Sequence, residues 1–395
     1  MSKSTRNSLA ALAAAAATMP AFGEAAPTEQ VAAYRFSQYN EADAPLERTQ
    51  TGVTERYSID IHQFRYSRPL ADDWYLNSEF QYETLSGASP MHTYENADGR
   101  SALVMSGASI DETRYDLKVA PKRYFSGAMN GQIDGTLGGL AAISIENDYR
   151  SLALGVDGSL ELFNKHTTLN GSLSMSLDEL SPTDADISAD RSRADGRGKR
   201  SVSLYEGITQ IIDKNRVIQV GLGYTRLSGY LSDPYRWEDR RPGQRDQLTV
   251  TAQYRQFMPL WGGAAIHGDY RYYSDNWGIR SHTLTARWAQ NLNMAPFSFQ
   301  LTPMLRYYRQ TAAEFYSLEF SPPQDQYNSS DYRLSSYGAF AYGLESRARY
   351  YNWTLSIDWQ QYFSGENFAL VQSTDDETPA LVDYSIISLG IEYKY

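Results

Sequence analysis

The chain has 395 residues, with 47 Asp and Glu against 36 Lys and Arg, and therefore a formal charge of −11; it contains no cysteine. This acidic balance argues against nucleic-acid binding, because no basic field would collect phosphates. The missing cysteines exclude disulfide scaffolds, thiol catalysis, Cys-ligated metals and c-type haem attachment. Beyond the first residues, no apolar run approaches about 18 residues, which excludes an inner-membrane helical protein.

Residues 1–23 are predicted to be a secretory signal peptide. Lys3 and Arg6 give a positive start, residues 9–17 form a short apolar run, and a small-x-small triplet ends the segment. The apolar run is too short to cross a bilayer as a helix. Cleavage two or three residues further on is an alternative. Residues 24–395 are then a single domain, and loss of the two cations takes the formal charge from −11 to −13.

From about residue 31 the chain breaks into stretches in which apolar and polar residues alternate. The clearest pair lies between residues 151 and 177, where each face stays consistent over about ten residues, the length that crosses hydrocarbon at a tilt. The later predicted strands are 56–67, 74–85, 113–125, 131–145, the pair within 151–177, 200–212, 216–230, 247–257, 263–274, 280–290, 297–310, 332–350, 353–364 and a last strand from Asp383. The total is about sixteen.

The connections between these stretches alternate between tight and long, and both chain ends fall on the tight side. This pattern predicts an all-β fold, a transmembrane antiparallel up-and-down barrel with short periplasmic turns and long extracellular loops. The abundance of tyrosine, 31 residues, fits side chains that sit at membrane interfaces. A soluble β-sandwich is the alternative, but it gives no reason for segregated loop lengths.

One face of the last predicted strand is apolar. Ile387, Leu389, Ile391 and Tyr393 alternate with polar or small residues, and the chain ends on Tyr395. We expect the apolar set to face lipid, and Ser388, Glu392 and Lys394 to face the lumen. Such a strand resembles the terminal strand by which outer-membrane barrels are recognised for assembly. The expected partners are therefore outer-membrane lipid, lipopolysaccharide and the assembly machinery.

Several short stretches resemble one family of bacterial outer-membrane barrels, the domain of unknown function 3570. They are Ser86–Pro90, Glu146–Ser151, Asn164–Leu169, Asp178–Pro182, Asp233–Arg236, Arg241–Gly243 and Tyr270–Ile279. The resemblance spans most of the mature chain and implies the outer membrane of a Gram-negative bacterium. It brings no settled activity. It hints at a redox setting, because family members often sit beside genes for thioredoxin-like proteins and flavin transferases.

Candidate chemistry is sparse. Among five scattered histidines, His62 and His267 fall on predicted inward faces and His282 near the outer aromatic belt. His267 with Asp269 is the one pair that looks catalytic, and a hydrogen-bonded lumen pair is the alternative. Asp184, Asp186 and Asp190 could ligate calcium, although the spacing of a known loop is missing. No cofactor is predicted, and no metal is assigned.

The predicted inward face carries acids on the early strands and arginines on the later ones. The lumen-lining candidates are Asp60, Glu79, Glu83, Asp134, Asp157 and Glu161, then Arg255, His267, Asp269, Arg271, Arg287, Arg306 and Arg347. Opposed walls of carboxylate and guanidinium would set a field across the lumen and orient polar solutes. Charges that pair across a plugged interior are the alternative.

The sequence therefore predicts a porin-like channel for small polar solutes or ions, which is not an enzyme. A non-channel outer-membrane partner of a periplasmic redox or flavin/thioredoxin-linked system is the first alternative, and an outer-membrane hydrolase is the second. The solute, the oligomeric state and a plug are left open.

Overall fold

The computed structural model describes residues 26–50, 53–106, 110–128, 133–186, 188–318, 326–370 and 378–395. Within these ranges the structure is mostly β-strand, with one short α-helix, α1 (Ala189–Ala194). The strands are β1 (Val31–Glu41), β2 (Ser58–Ala71), β3 (Trp74–Gly87), β4 (Pro90–Glu95), β5 (Ser101–Met105), β6 (Ile110–Gly127), β7 (Ile133–Ile145), β8 (Tyr149–Leu162), β9 (Thr167–Leu180), β10 (Arg197–Asp213), β11 (Arg216–Gly229), β12 (Gln244–Met258), β13 (Ala264–Asp275), β14 (Arg280–Met294), β15 (Phe297–Gln310), β16 (Tyr337–Tyr350), β17 (Trp353–Gly365) and β18 (Tyr384–Lys394). No helix in the described ranges is long and apolar enough to cross a membrane. The predicted signal peptide, 1–23, lies outside them.

Sixteen of these strands close into one antiparallel barrel. Neighbours in sequence pair with each other, except that β3 pairs with β6, and β4 and β5 form a separate hairpin between them. The ring closes where β1 pairs with β18, from Val31 opposite Lys394 to Glu41 opposite Tyr384. Closure satisfies the backbone groups that lipid cannot, and it leaves no open edge. The predicted transmembrane barrel of about sixteen strands is confirmed.

The alternation of side chains along each strand sets the two surfaces of the barrel. On β8, Leu152, Leu154 and Val156 are about half exposed on the outer face. Asp157 and Glu161 of the same strand lie on the opposite, inner face, as a period of two requires. The outside of the barrel is therefore apolar and the inside is polar, because the sheet wraps its alternating pattern around a lumen.

The terminal strand β18 has the orientation expected from its sequence. Ile387, Leu389 and Ile391 are exposed on the outer face. Ser388 is buried on the inner face, where its Oγ lies 2.8 Å from the Oγ of Ser37 on β1. The residue that follows the strand, Tyr395, donates its backbone N–H to the carbonyl of residue 30, so that the two ends of the barrel wall meet.

The two ends of the barrel differ in their connections. At one end, here called the turn end, lie the starting point of β1, the end of β18 and the short connections 72–73, 128–132, 163–166, 214–215, 259–263, 295–296 and 351–352. At the other, the loop end, two connections are short, 146–148 and 276–279, and the rest are 42–57, 88–109, 181–196, 230–243, 311–336 and 366–383. The long loops supply a second layer of structure above the barrel.

Candidate functional site

The strand register shows which candidate residues share the inner face. Residues directly opposite each other in an antiparallel pair point to the same side of the sheet. Arg255, for example, lies opposite His267, which lies opposite Arg287. On this basis the inner face carries Glu79, Glu83, Asp134, Asp157, Glu161, Arg255, His267, Asp269, Arg271, Arg287, Arg306 and Arg347.

The expectation for Asp60 is wrong. It shares the face of β2 that carries Phe64 and Tyr66, both of which are exposed on the outside of the barrel. Its carboxylate accepts a hydrogen bond from Gln38 on β1, with an Nε2 to Oδ1 distance of 3.2 Å. Asp60 lies close to the loop end of its strand, and a charge costs little at that level of a membrane. The polarity of the residue alone was therefore a poor guide to its direction.

His62 was also assigned to the inner face and also lies outside. Its Nδ1 is 2.9 Å from the Tyr34 hydroxyl, and its ring packs 5.1 Å from that of Phe36. His282, which was expected near the outer aromatic belt, has the matching arrangement, with Nδ1 2.8 Å from the Tyr270 hydroxyl. Both histidines are part of the outer aromatic surface rather than of the lumen.

The acids of the early strands are neutralised within their own wall. Lys118 lies 3.2 Å from Glu79, and Lys122 lies 2.8 Å from Asp157. Further pairs are Lys165 with Asp134 and Glu161, Arg114 with Glu83 and Asp116, and Lys199 with Asp178. This side of the lumen is strongly polar, but it carries little net charge.

The wall formed by the later strands is arranged differently. Asp269 on β13 is held between two guanidinium groups, Arg255 at 2.6 Å and Arg287 at 2.7 Å. His267 lies between the same two arginines in the register. Both oxygens of Asp269 are therefore occupied by arginines, and the carboxylate does not orient the imidazole as a catalytic dyad requires. The arrangement favours the structural alternative for this pair.

A cavity of about 710 Å³ lies inside the barrel along β1–β3, β6 and β16–β18. Its lining mixes amides, acids and cations, including Arg35, Gln63, Glu79 and Glu392. Sixteen strands leave an interior wide enough for water unless loops fill it. This part of the lumen is consequently a polar-lined cavity rather than a packed core.

The described parts of the long loops pack together at the loop end and form what we call the cap, residues 42–50, 53–57, 88–106, 230–243, 311–318, 326–336 and 378–383. Its apolar centre is made by the β4–β5 hairpin, whose Leu103 and Met105 are almost fully buried against Ala44, Ala88 and Ala380. These contacts come from three loops that are neighbours around the ring, those after β1, β3 and β17, and Tyr332 of the loop after β15 packs against them. The cap is therefore a folded unit with a core of its own, which the sequence did not reveal.

Backbone hydrogen bonds tie the cap together across the mouth of the barrel. The hairpin loop follows β3, yet the carbonyl of Met91 accepts a hydrogen bond from the N–H of Trp237 in the loop after β11. Arg240 in that loop exchanges two backbone hydrogen bonds with Asn328 in the loop after β15. Strands β3 and β11 lie far apart around the ring, so the cap spans the lumen.

A buried cluster of arginines and aspartates joins two of these loops. Asp331 is fully buried, and its carboxylate accepts hydrogen bonds from Arg241 at 2.7 Å and from Arg333 at 2.7 Å. Arg236 lies 3.5 Å from the same carboxylate. Burial alone would raise the pKa of Asp331, but these three arginines outweigh it and hold the pKa well below its usual range.

Two more aspartates complete this cluster. Asp233 is 3.0 Å from Arg333, and Asp239 is 2.8 Å from Arg241. Sequence reasoning missed the cluster, although Asp233, Arg236 and Arg241 all fall in stretches that carry the family resemblance. A set of acids and arginines in a loop looks solvated until tertiary structure brings its members together.

The carboxylates considered for calcium have other partners. Asp184 pairs with Arg191 at 3.0 Å, and Asp190 pairs with Arg193 on α1. A different set, Glu112, Glu146 and Asp148, places carboxylate oxygens within 4.8 Å of one another near the loop end. Arg114 approaches Glu146 at 3.7 Å, and the Tyr235 hydroxyl donates to Asp148. Calcium binding stays a prediction of the sequence alone.

Comparisons with known proteins support the architecture. Residues 8–367 match the family described as "Protein of unknown function (DUF3570)". The chain is similar to the solved structure of a bacterial polysaccharide outer membrane secretin, with TM-score 0.50 and 11% identity over 92% of this chain and 98% of that one. It is also similar to the outer membrane protein OprD from Pseudomonas aeruginosa, with TM-score 0.39 and 11% identity over 93% of each chain. The likeness to the secretin concerns the fold alone. No curated protein matches the chain.

Proposed function

The chain belongs to the family of unknown function DUF3570, and we propose that it is an outer-membrane channel for small polar solutes or ions whose loop end is closed by the cap. The proposal includes export by the signal peptide, insertion into the outer membrane of a Gram-negative bacterium through recognition of β18, and contact with its lipid and lipopolysaccharide. What carries it is the lumen, where charged and amide side chains surround a cavity of about 710 Å³.

The polar interior supports passage rather than a purely structural role. Charged side chains inside a barrel destabilise the fold unless water or opposite charges surround them. Here the opposite charges of the wall pair with them, and the cavity leaves room for water. Solutes that enter from the turn end meet this polar space first. The cap then stands between the lumen and the outside, so conduction depends on whether the cap is docked.

The aspartate at the centre of the cap cluster offers a direct test. Asp331→Asn removes the charge that Arg236, Arg241 and Arg333 share, and breaking a buried ion cluster costs about 3–5 kcal/mol. The barrel itself is held by its closed ladder, so we expect the cap to loosen while the barrel stays folded. Conductance of the purified protein in a planar bilayer should rise severalfold over the wild type.

Asp98→Asn is the matched control. Asp98 is an exposed residue at the tip of the β4–β5 hairpin, so the same change of chemistry should leave conductance at the wild-type level. If bilayers that contain the wild type, Asp331→Asn or Asp98→Asn all stay impermeable to ions, the channel proposal is contradicted and a non-channel partner role is favoured.

A further inference from the structure

We propose that Arg271 and Arg306 form a lumenal binding site for small organic carboxylates. The proposal rests on the proposed channel function and deepens it by naming the class of solute. Arg271 lies on β13 and Arg306 on β15, both on the inner face and both exposed, which on an inward face means exposed to the lumen.

These two arginines have no carboxylate partner among the described residues, in contrast to the paired Arg245, Arg255 and Arg287 on the inner faces of β12 and β14. The acids on the inner faces of β12–β17 are already engaged. Asp269 is bound by Arg255 and Arg287, Asp275 by Arg245, Glu345 by Arg347 and Asp358 by Arg35. The lumen wall is therefore locally positive where Arg271 and Arg306 lie.

The strand register places the two side chains within reach of one ligand. Arg306 shares its row with Thr285 and Asp269, and Arg271 lies one inward position further toward the loop end. Strand spacing and rise put the two Cα atoms roughly 12 Å apart. Two extended arginine side chains can close that gap around a single anion, and a guanidinium fork matches the two oxygens of a carboxylate.

Tyrosines flank the pair and favour an organic anion over a simple inorganic one. The guanidinium of Arg271 lies 5.9 Å from the ring centre of Tyr273. Tyr308 lies in the same row as Arg271, two strands away, and its ring packs against that of Tyr337 at 5.6 Å. A carboxylate on an apolar or aromatic body would meet both kinds of group, the charge on the arginines and the body on the rings.

Binding of benzoate to the full-length protein in detergent, measured by calorimetry, tests the site without relying on conduction. We expect the double variant Arg271→Gln/Arg306→Gln to bind benzoate at least ten-fold more weakly than the wild type. Arg349→Gln is the matched control, because Arg349 is also an exposed, inward-facing arginine but lies near the turn end of β16. Its affinity should equal that of the wild type. Heat-modifiable migration in gels verifies that each variant is a folded barrel.

The outcomes separate this site from the channel itself. Loss of benzoate binding in the double variant supports the site even if no protein conducts, in which case the channel function alone fails. If the protein conducts but the double variant binds benzoate with the wild-type affinity, the site is overturned. Equal weakening by Arg349→Gln, absence of binding to the wild type, or chloride that competes as well as benzoate would also overturn it.

Discussion

At the scale of single residues, Glu206 is the most unusual side chain on the outside of the barrel. It is exposed on the outer face of β10, between Leu204 and Ile208, which are exposed on that face as well. It lies opposite Gly171 on β9 and Leu222 on β11. A Cβ added to Gly171 would meet the Glu206 carboxylate at 3.1 Å, so the acid lies over this glycine. An ionisable group in the middle of the lipid-facing band is costly.

We predict that Glu206→Leu stabilises the barrel. The substitution removes the cost of holding a carboxyl group in hydrocarbon, and we expect the free energy of unfolding to rise by about 1–2 kcal/mol. Denaturant unfolding in lipid vesicles measures it.

Glu179→Leu is the control, since Glu179 lies on the same outer surface but at the loop end of β9. There the same change should leave stability within about 0.5 kcal/mol of the wild type. A loss of stability in Glu206→Leu would show instead that the carboxyl group has a partner in the membrane.

At the scale of elements, docking of the β4–β5 hairpin should depend on pH through His92. The His92 ring is buried, stacks on Tyr94 and Trp237, and has Nδ1 3.2 Å from the Ser330 hydroxyl. Burial, with a smaller contribution from Arg236, lowers the pKa of His92 from 6.5 to about 4. The neutral His92 therefore favours docking of the hairpin fully above pH 6.5. The free energy of docking weakens as the pH falls from 6.5 toward 4, by at most about 3 kcal/mol.

We expect the conductance to rise as the pH is lowered from 6.5 to 4. The pKa of Asp331 is held well below its usual range, so the stability that Asp331 contributes persists through this window. His92→Gln should abolish the pH dependence. His166→Gln, a change in an exposed turn at the opposite end of the barrel, should leave it intact. A wild-type conductance that does not vary over this window would argue against the histidine as the sensor.

The strands were predictable because a barrel strand must alternate along its whole length. The predicted strand 297–310 has the bounds of β15, and most other strands agree within a few residues. The prediction of 332–350 began too early, because Asp331 caps a short 3-10 turn at Tyr332–Leu334 and β16 starts at Tyr337. Local hydrogen bonding of an aspartate side chain, which periodicity does not register, sets that boundary.

The cap was not predictable from the same signals. Strands β4 and β5 lie in a segment that reads as a polar loop; they pair with each other, and Leu103 of β5 also forms an isolated bridge with Thr49. Their apolar residues, such as Leu103, are buried by loops that are distant in sequence. Asp60 and His62 show a similar limit of prediction in the barrel wall. Alternation shows that two sets of residues lie on opposite faces of a strand, but near a membrane interface polarity does not tell which set faces the lumen.

At the scale of the whole molecule, the structure combines a polar lumen with a cap that spans one end. The sixteen strands pair with one another all the way around the ring, and β4 and β5 of the cap form a separate sheet. The two layers can therefore be separated experimentally. A channel that is closed by a detachable unit should become more conductive when that unit is removed, whereas a barrel with a solid interior should not change.

Single-channel recording of the purified protein with residues 90–105 replaced by a short Gly-Ser linker tests this account most directly. The replacement removes the β4–β5 hairpin and with it the apolar centre of the cap, while β3 and β6 stay adjacent in the barrel. The account predicts small or rare conductance steps for the wild type and stable steps, severalfold larger, for the variant. A correctly folded variant that remains as impermeable as an empty bilayer would contradict it.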